Sequence, residues 1–168
     1  KKYDGQIKIH GNSGYRSGTT TIKNVNFETA TPKVNFVYAI DFGNALRYSS
    51  NITVKDCTFT ATATATEDVV GVQVKSSKNL VISNCTANGL HSLLQAQSCD
   101  ANILVEKVTV EGGKNGISLG NTANPTIKNS TIVAREYGVR ADGEASRGNL
   151  NIENTTITAK QPIIVRKV

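Results

Sequence analysis

The chain has 168 residues, 38% of them hydrophobic and only 5% aromatic, with a formal net charge of +6. That length suits one domain, over residues 1–168, and its core must come from Val, Ile, Leu, Ala and Thr rather than from large rings. The cations are interspersed with Asp and Glu and no aromatic-rich stacking motif accompanies them, which reads as a solvated surface and excludes a nucleic-acid track; no apolar run approaches the 18 residues of a membrane span.

Taken in chain order, the segments alternate between two kinds of strand. GQIKI (5–9) opens, and TTTIKNVNF (19–27) follows with a break in its alternation at Asn24. YAIDF (38–42) is a second strand of the first kind, and SNITVKDCTF (50–59) breaks at Asp56. GVQV (71–74) precedes KNLVISNCTA (78–87), which breaks at Asn84. LLQA (93–96) precedes a break at Lys107, and GISL (116–119) precedes NPTIKNSTIV, which breaks at Asn129. GVRA (138–141) precedes GNLNIENTTI, with its break at Asn154, and PIIV (162–165) ends the series.

The break residues recur every 22–32 positions. Two positions before each stands Ile or Val: Ile22, Val54, Ile82, Val105, Ile127 and Ile152. One position after stand Val25, Cys57, Cys85, Val108, Ser130 and Thr155, small side chains that suit an interior. A change of phase needs a corner, and Asn and Asp tolerate left-handed backbone better than other non-glycine residues. Stacked on one another, their side chains also form a hydrogen-bonded ladder, which Lys107 interrupts. Short strands at this period with no helix between them predict an all-β parallel solenoid of about six to seven coils, three short strands to a coil, stacked about 4.8 Å apart.

The strings GVQVKSSKNLVISNCTANG and NGISLGNTANPTIKNSTIVA resemble the parallel β-helix repeat of the pectin-lyase-like superfamily, over about residues 5–165. The resemblance implies a right-handed, single-stranded parallel β-helix with an asparagine ladder at one corner, and export to the cell surface or beyond. It also implies a role among polysaccharides, since its members include pectate and pectin lyases and polygalacturonases as well as adhesins and surface proteins. Such helices often start with an amphipathic capping helix. None is written here, and QPIIVRKV stops on a strand, so the chain is expected to be a piece of a longer protein whose further coils or domains are its neighbours.

Stacking turns spacing into columns. The outward position of the first kind of strand gives Lys8, Asp41, Gln73, Gln95, Ser118 and Arg140, a row of charges, amides and a hydroxyl able to bond sugar hydroxyls. In the lyases and polygalacturonases this sheet holds the saccharide, so the row is the candidate ligand-binding face. Tyr38 and Tyr137, close by, are expected to point inward by alternation. The column after the corner, rich in Thr, lacks the matched second Thr column an ice-binding face needs.

The expected function is therefore a polysaccharide-binding or scaffold module. The alternative is a lyase or glycoside hydrolase acting on the Asp41-to-Arg140 sheet. A hydrolase needs two carboxylates about 5–9.5 Å apart, and that row offers one, Asp41; Asp142 and Glu144, near Arg140 and Arg147, and Asp100 lie in later turns. A calcium-dependent lyase needs several acidic ligands and a base, so calcium enters only under that alternative, and no metal or cofactor is otherwise expected. Cys57 and Cys85, at one inward position of adjacent coils, are expected as reduced thiols, with Cys99 unpaired. His10 and His91 read as surface or turn histidines.

Overall fold

The computed structural model describes residues 2–3, 7–9, 18–29, 37–42, 50–62, 69–75, 77–97, 102–120, 122, 124–142 and 150–166. Strands β1 (Lys2–Tyr3) and β2 (Ile7–Ile9) come first. β3 (Gly18–Lys23), β4 (Asn26–Thr29) and β5 (Val37–Phe42) follow, then β6 (Ser50–Lys55), β7 (Thr58–Ala61) and β8 (Val69–Lys75). The next coil holds β9 (Asn79–Ser83), β10 (Thr86–Asn88) and β11 (Ser92–Gln97). Two coils of two strands come after it: β12 (Asn102–Glu106) with β13 (Thr109–Gly120), and β14 (Pro125–Lys128) with β15 (Thr131–Asp142). The last comprises β16 (Asn151–Glu153), β17 (Thr156–Thr158) and β18 (Gln161–Arg166).

Strands of successive coils pair in parallel. β3, β6, β9, β12, β14 and β16 form one sheet, and the Ile22, Val54, Ile82, Val105, Ile127 and Ile152 positions fall in register along it. The fold is the expected all-β parallel solenoid. About four turns are complete among the described residues, somewhat fewer than the spacing predicts. The stretches ETATPKVNF and ATATAT, which read as the longest loops of the chain, fall largely outside the described residues.

All six break residues have left-handed backbone: Asn24 (φ 58°), Asp56 (53°), Asn84 (51°), Lys107 (52°), Asn129 (51°) and Asn154 (44°). The corner follows directly from the amide-rich column, because short polar side chains carry the lowest steric penalty there. Asn84 Nδ2 donates to Asp56 Oδ1 at 2.8 Å and Asn154 Nδ2 to Asn129 Oδ1 at 2.8 Å. Lys107 keeps the backbone of the corner, its N–H donating to Lys128 O at 3.2 Å, without offering an amide rung.

Behind the corner, the small inward side chains share one device. Cys57 Sγ donates to Lys55 O at 3.2 Å, Cys85 Sγ to Ser83 O at 3.3 Å, Ser130 Oγ to Lys128 O at 2.8 Å and Thr155 Oγ1 to Glu153 O at 2.8 Å. A thiol or hydroxyl at this position gives the carbonyl two residues back a second donor, beside the corner N–H of the preceding coil that it also accepts. Both cysteines are buried and free. Cys85 is pushed up, first by the hydrogen bond it shares with Cys57 and then by burial. Cys99 lies outside the described residues.

The interior is a stack of aliphatic rows that also holds two stacked phenyl rings, Phe27 over Phe59 at 5.0 Å and 5°. Each fully buried Ile, Leu or Phe contributes roughly 1.5–3 kcal/mol, and each coil buries its row only because the next one covers it. On the outside, Lys128 Nζ of one coil sits 3.7 Å from Glu106 Oε2 of the coil before it.

One element differs from expectation. GGKNG and AREYG read as turns between separate strands, whereas β13 and β15 each run through them as single strands of 12 residues. Register shifts around Gly113 absorb the bend. Added there, a side chain would meet the Leu90 carbonyl of the preceding coil, so glycine lets the two backbones approach and the ladder continue.

Candidate functional site

The outward row is a column in the structure. Lys8 pairs in register with Asp41, Asp41 with Gln73, Gln73 with Gln95, Gln95 with Ser118, and Ser118 with Arg140. The Lys8 side chain lies outside the described residues, so its pairing with Asp41 is one of backbone register. The column is not uniformly open. Asp41 and Gln73 are buried, at 9% and 5% exposure, while Gln95, Ser118 and Arg140 are half-buried.

The last three line a groove of about 260 Å³ together with His91, Asn115 and Asp142. Strand β11 supplies Gln95, β13 supplies Asn115 and Ser118, and β15 supplies Arg140 and Asp142. Rigid strands of three successive coils thus fix the polar groups.

The local phase of these strands explains who points where. In β5 the consecutive Ala39 and Ile40 are both buried, as are Leu93 and Leu94 in β11. Two inward residues in a row reverse the alternation, so the residue just before them shares the outer side with the candidate column. This corrects the orientation expected for Tyr38 and Tyr137. Tyr38 hydrogen-bonds the Gln73 side chain and feels the charge of Asp41. Burial first, then Asp41, raise its phenol above the usual value, while the bond to Gln73 opposes them. The Tyr137 ring lies under two guanidinium groups, with Arg140 Cζ 5.4 Å and Arg166 Cζ 5.9 Å from its centre.

Glycines at that bend bring the coils close. A Cβ on Gly116 would stand 2.5 Å from the Gly138 carbonyl, and one on Gly138 2.5 Å from the Pro162 carbonyl. The two outer columns are thereby held against a tightly stacked backbone.

Arg140 Nε donates to Asp142 Oδ2 at 2.5 Å. Asn115 Nδ2 lies 3.4 Å from His91 Nε2, a hydrogen bond when the ring carries its proton on Nδ1. Of the buried side-chain atoms with no hydrogen-bond partner among the described residues, two belong to residues lining this groove: Gln95 Oε1 and Asn115 Oδ1. Buried amide oxygens are rarely left so. Asn115 is 4% exposed, so its side chain is held in place by its packing.

The expected face therefore contributes Gln95, Ser118 and Arg140 to the groove, and Asp41 and Gln73 to a closed part of the same sheet. His91 and Asn115 were not anticipated as part of it. His91 reads as a turn histidine, and it does sit at the start of β11, but its ring borders the groove. Asn115 carries no signal in the strand pattern because it precedes the glycine-led strand GISL. Aligning the repeats on that bend places Tyr38, Val70, Ser92, Asn115 and Tyr137 in one column and would have exposed it. Glu144, Arg147, Asp100 and His10 lie outside the described residues. Among the described residues no group of three His, Cys, Asp or Glu side chains is placed to hold a metal ion.

A second column of amides lies at the other end of the corner sheet. Asn51, Asn79 and Asn102 are in register where the corner sheet begins, and Asn79 Nδ2 donates to Asn51 Oδ1 at 2.6 Å. The corner sheet is thus bordered by a ladder at both ends of its strands.

Residues 3–115, more than half of the chain, match the family model described as the right handed beta helix region. No curated protein and no solved structure matches the chain. With parallel coils, a left-handed corner at every repeat and this match, the chain belongs to the right-handed β-helix family.

Proposed function

We propose that this β-helix is a polysaccharide-binding module whose ligand lies across β11, β13 and β15, in the groove lined by Gln95, Asn115, Ser118 and Arg140. The observation that carries the reading is the pair of buried, unpartnered amide oxygens, Gln95 Oε1 and Asn115 Oδ1, at that groove. Leaving such groups unbonded costs about 1–3 kcal/mol each, and sugar hydroxyls are donors of the right size to bond them. The stacking of coils about 4.8 Å apart repeats the polar groups at a distance close to that between successive rings of a sugar chain. A location outside the cell or on its surface belongs to the same reading.

Cleavage is supported less well. Asp142 is tied to Arg140, and Asp41 is four coil steps from the Arg140 row, about 19 Å at the ordinary strand spacing. A hydrolytic pair needs about 5–9.5 Å.

Titration of the full chain against a panel of soluble polysaccharides, by calorimetry and with and without calcium, tests the proposal. Binding is expected, weakened at least about tenfold by Gln95→Leu, the equivalent of about 1.4 kcal/mol. Absence of binding to every polysaccharide would leave a scaffold. New reducing ends, or new unsaturated ends absorbing in the ultraviolet, would replace the proposal with the enzyme reading.

A further inference from the structure

We infer that the groove selects a neutral sugar chain over an acidic one. The inference rests on the polysaccharide reading above and adds the chemical class of the ligand.

The argument is one of donors and acceptors. A carboxylate or sulfate group only accepts hydrogen bonds, so a site built for it presents spare donors and an excess of positive charge. The buried groups left unpartnered in this groove are of the opposite kind. Its two unpartnered buried atoms are both carbonyl oxygens, on Gln95 and Asn115, and they can be satisfied only by a group that donates. The Asn115 amide nitrogen already faces His91 Nε2. Hydroxyl groups donate and accept, which an acidic function cannot do.

The charge follows the same pattern. The cation lining the groove is Arg140 and the anion is Asp142, and the two are hydrogen-bonded to each other at 2.5 Å. With His91 neutral, the formal charge of the lining sums to zero. Arg140 is further held over the Tyr137 ring. Its guanidinium is therefore engaged on its edge by a carboxylate and on its face by a ring, and an incoming anion would compete with Asp142 for it. Lys75 and Arg166 stand one coil to either side, in the column that contains Gln97, Gly120 and Asp142. They flank the groove without lining it, and at physiological ionic strength their influence is screened over about 8 Å.

The test compares matched-length oligosaccharides on the full chain: neutral hexose and pentose chains against oligogalacturonate, at low and high sodium chloride. A neutral chain is expected to bind the more tightly, with a Kd that moves less than about twofold with salt, because no net charge is neutralised on binding. Asp142→Asn releases Arg140 and gives the lining a charge of plus one. It should raise oligogalacturonate affinity about fivefold or more in low salt, the order expected when a charge pair near a surface is changed. Wild-type salt dependence is read separately, so a variant that folds poorly does not hide the answer. If oligogalacturonate binds better than every neutral chain and its affinity falls steeply with salt, the inference is wrong and the polysaccharide reading stands. If neither class binds, both are wrong.

Discussion

Asn84 hydrogen-bonds Asp56 one coil away at 2.8 Å, and Asn154 repeats the contact with Asn129, but the rung between these two pairs is Lys107. The ladder is thus two separate segments on a continuous backbone corner. Replacing Lys107 with Asn would restore an amide at a left-handed position and join them. Lys107→Asn is expected to stabilise the chain by about 0.5–1.5 kcal/mol, the net value of a typical hydrogen bond. Asn84→Ala should destabilise it by about 1–2 kcal/mol, because a Cβ without a compensating amide is left in left-handed backbone. Urea unfolding midpoints check both.

Gly138 has no room for a side chain. A methyl group there would press on Ile157 and lie 2.5 Å from the Pro162 carbonyl, with backbone on one side that cannot swing away. Gly138→Ala should cost about 1–3 kcal/mol, as overpacking commonly does. Gly18 has nothing within 4 Å of the same added atom, so Gly18→Ala should be neutral or slightly stabilising. Thermal unfolding of the two variants side by side separates crowding from loss of glycine itself.

Cys57 and Cys85 are buried, and each donates to a carbonyl. The Cys85 thiol is held above its ordinary value by its hydrogen bond to Cys57 and by burial, so at neutral pH it stays protonated and unreactive. A thiol reagent added to native protein is expected to miss both cysteines, and denaturation to reveal two more thiols than the native count. Rapid labelling of both before unfolding would contradict the packing described.

Tyr38 links the closed part of the sheet to alkaline pH. Burial and the neighbouring Asp41 raise its phenol, so the fold favours the neutral form. The resulting stability is present in full below about pH 10, the ordinary value, and is lost as pH rises through the folded value. Tyr38→Phe removes this dependence. The difference between wild-type and variant urea midpoints should shift in favour of the variant above about pH 10, and a constant difference up to pH 11 would refute it.

The corners were legible because one residue type answers to one backbone need. Asn and Asp at five of six breaks mark left-handed positions, and spacing alone placed Lys107 among them. The aliphatic rows were legible for the same reason, since period-two alternation maps onto an inside and an outside. Two things were harder. A bend carried by two inward residues in succession, Ala39–Ile40 or Leu93–Leu94, reverses that alternation without a marker as plain as Asn. Simple alternation accordingly turns Tyr38 and Tyr137 inward and gives Asn115 no place in the outer column. Outwardness also does not mean exposure. Asp41 and Gln73 occupy outer positions yet are buried, which no pattern within a single strand records.

Each coil leans only on the one above and the one below. A rod assembled in this way behaves like a zipper more than like a globule: damage at one rung is felt by its neighbours and fades with distance along the axis. Melting near Tyr137 need not unseat the thiols of Cys57 and Cys85, three and two coils away. The molecule can fray from one extremity while the middle stays wound, and the groove on β11, β13 and β15 shares the fate of the coils nearest to it, not that of the whole.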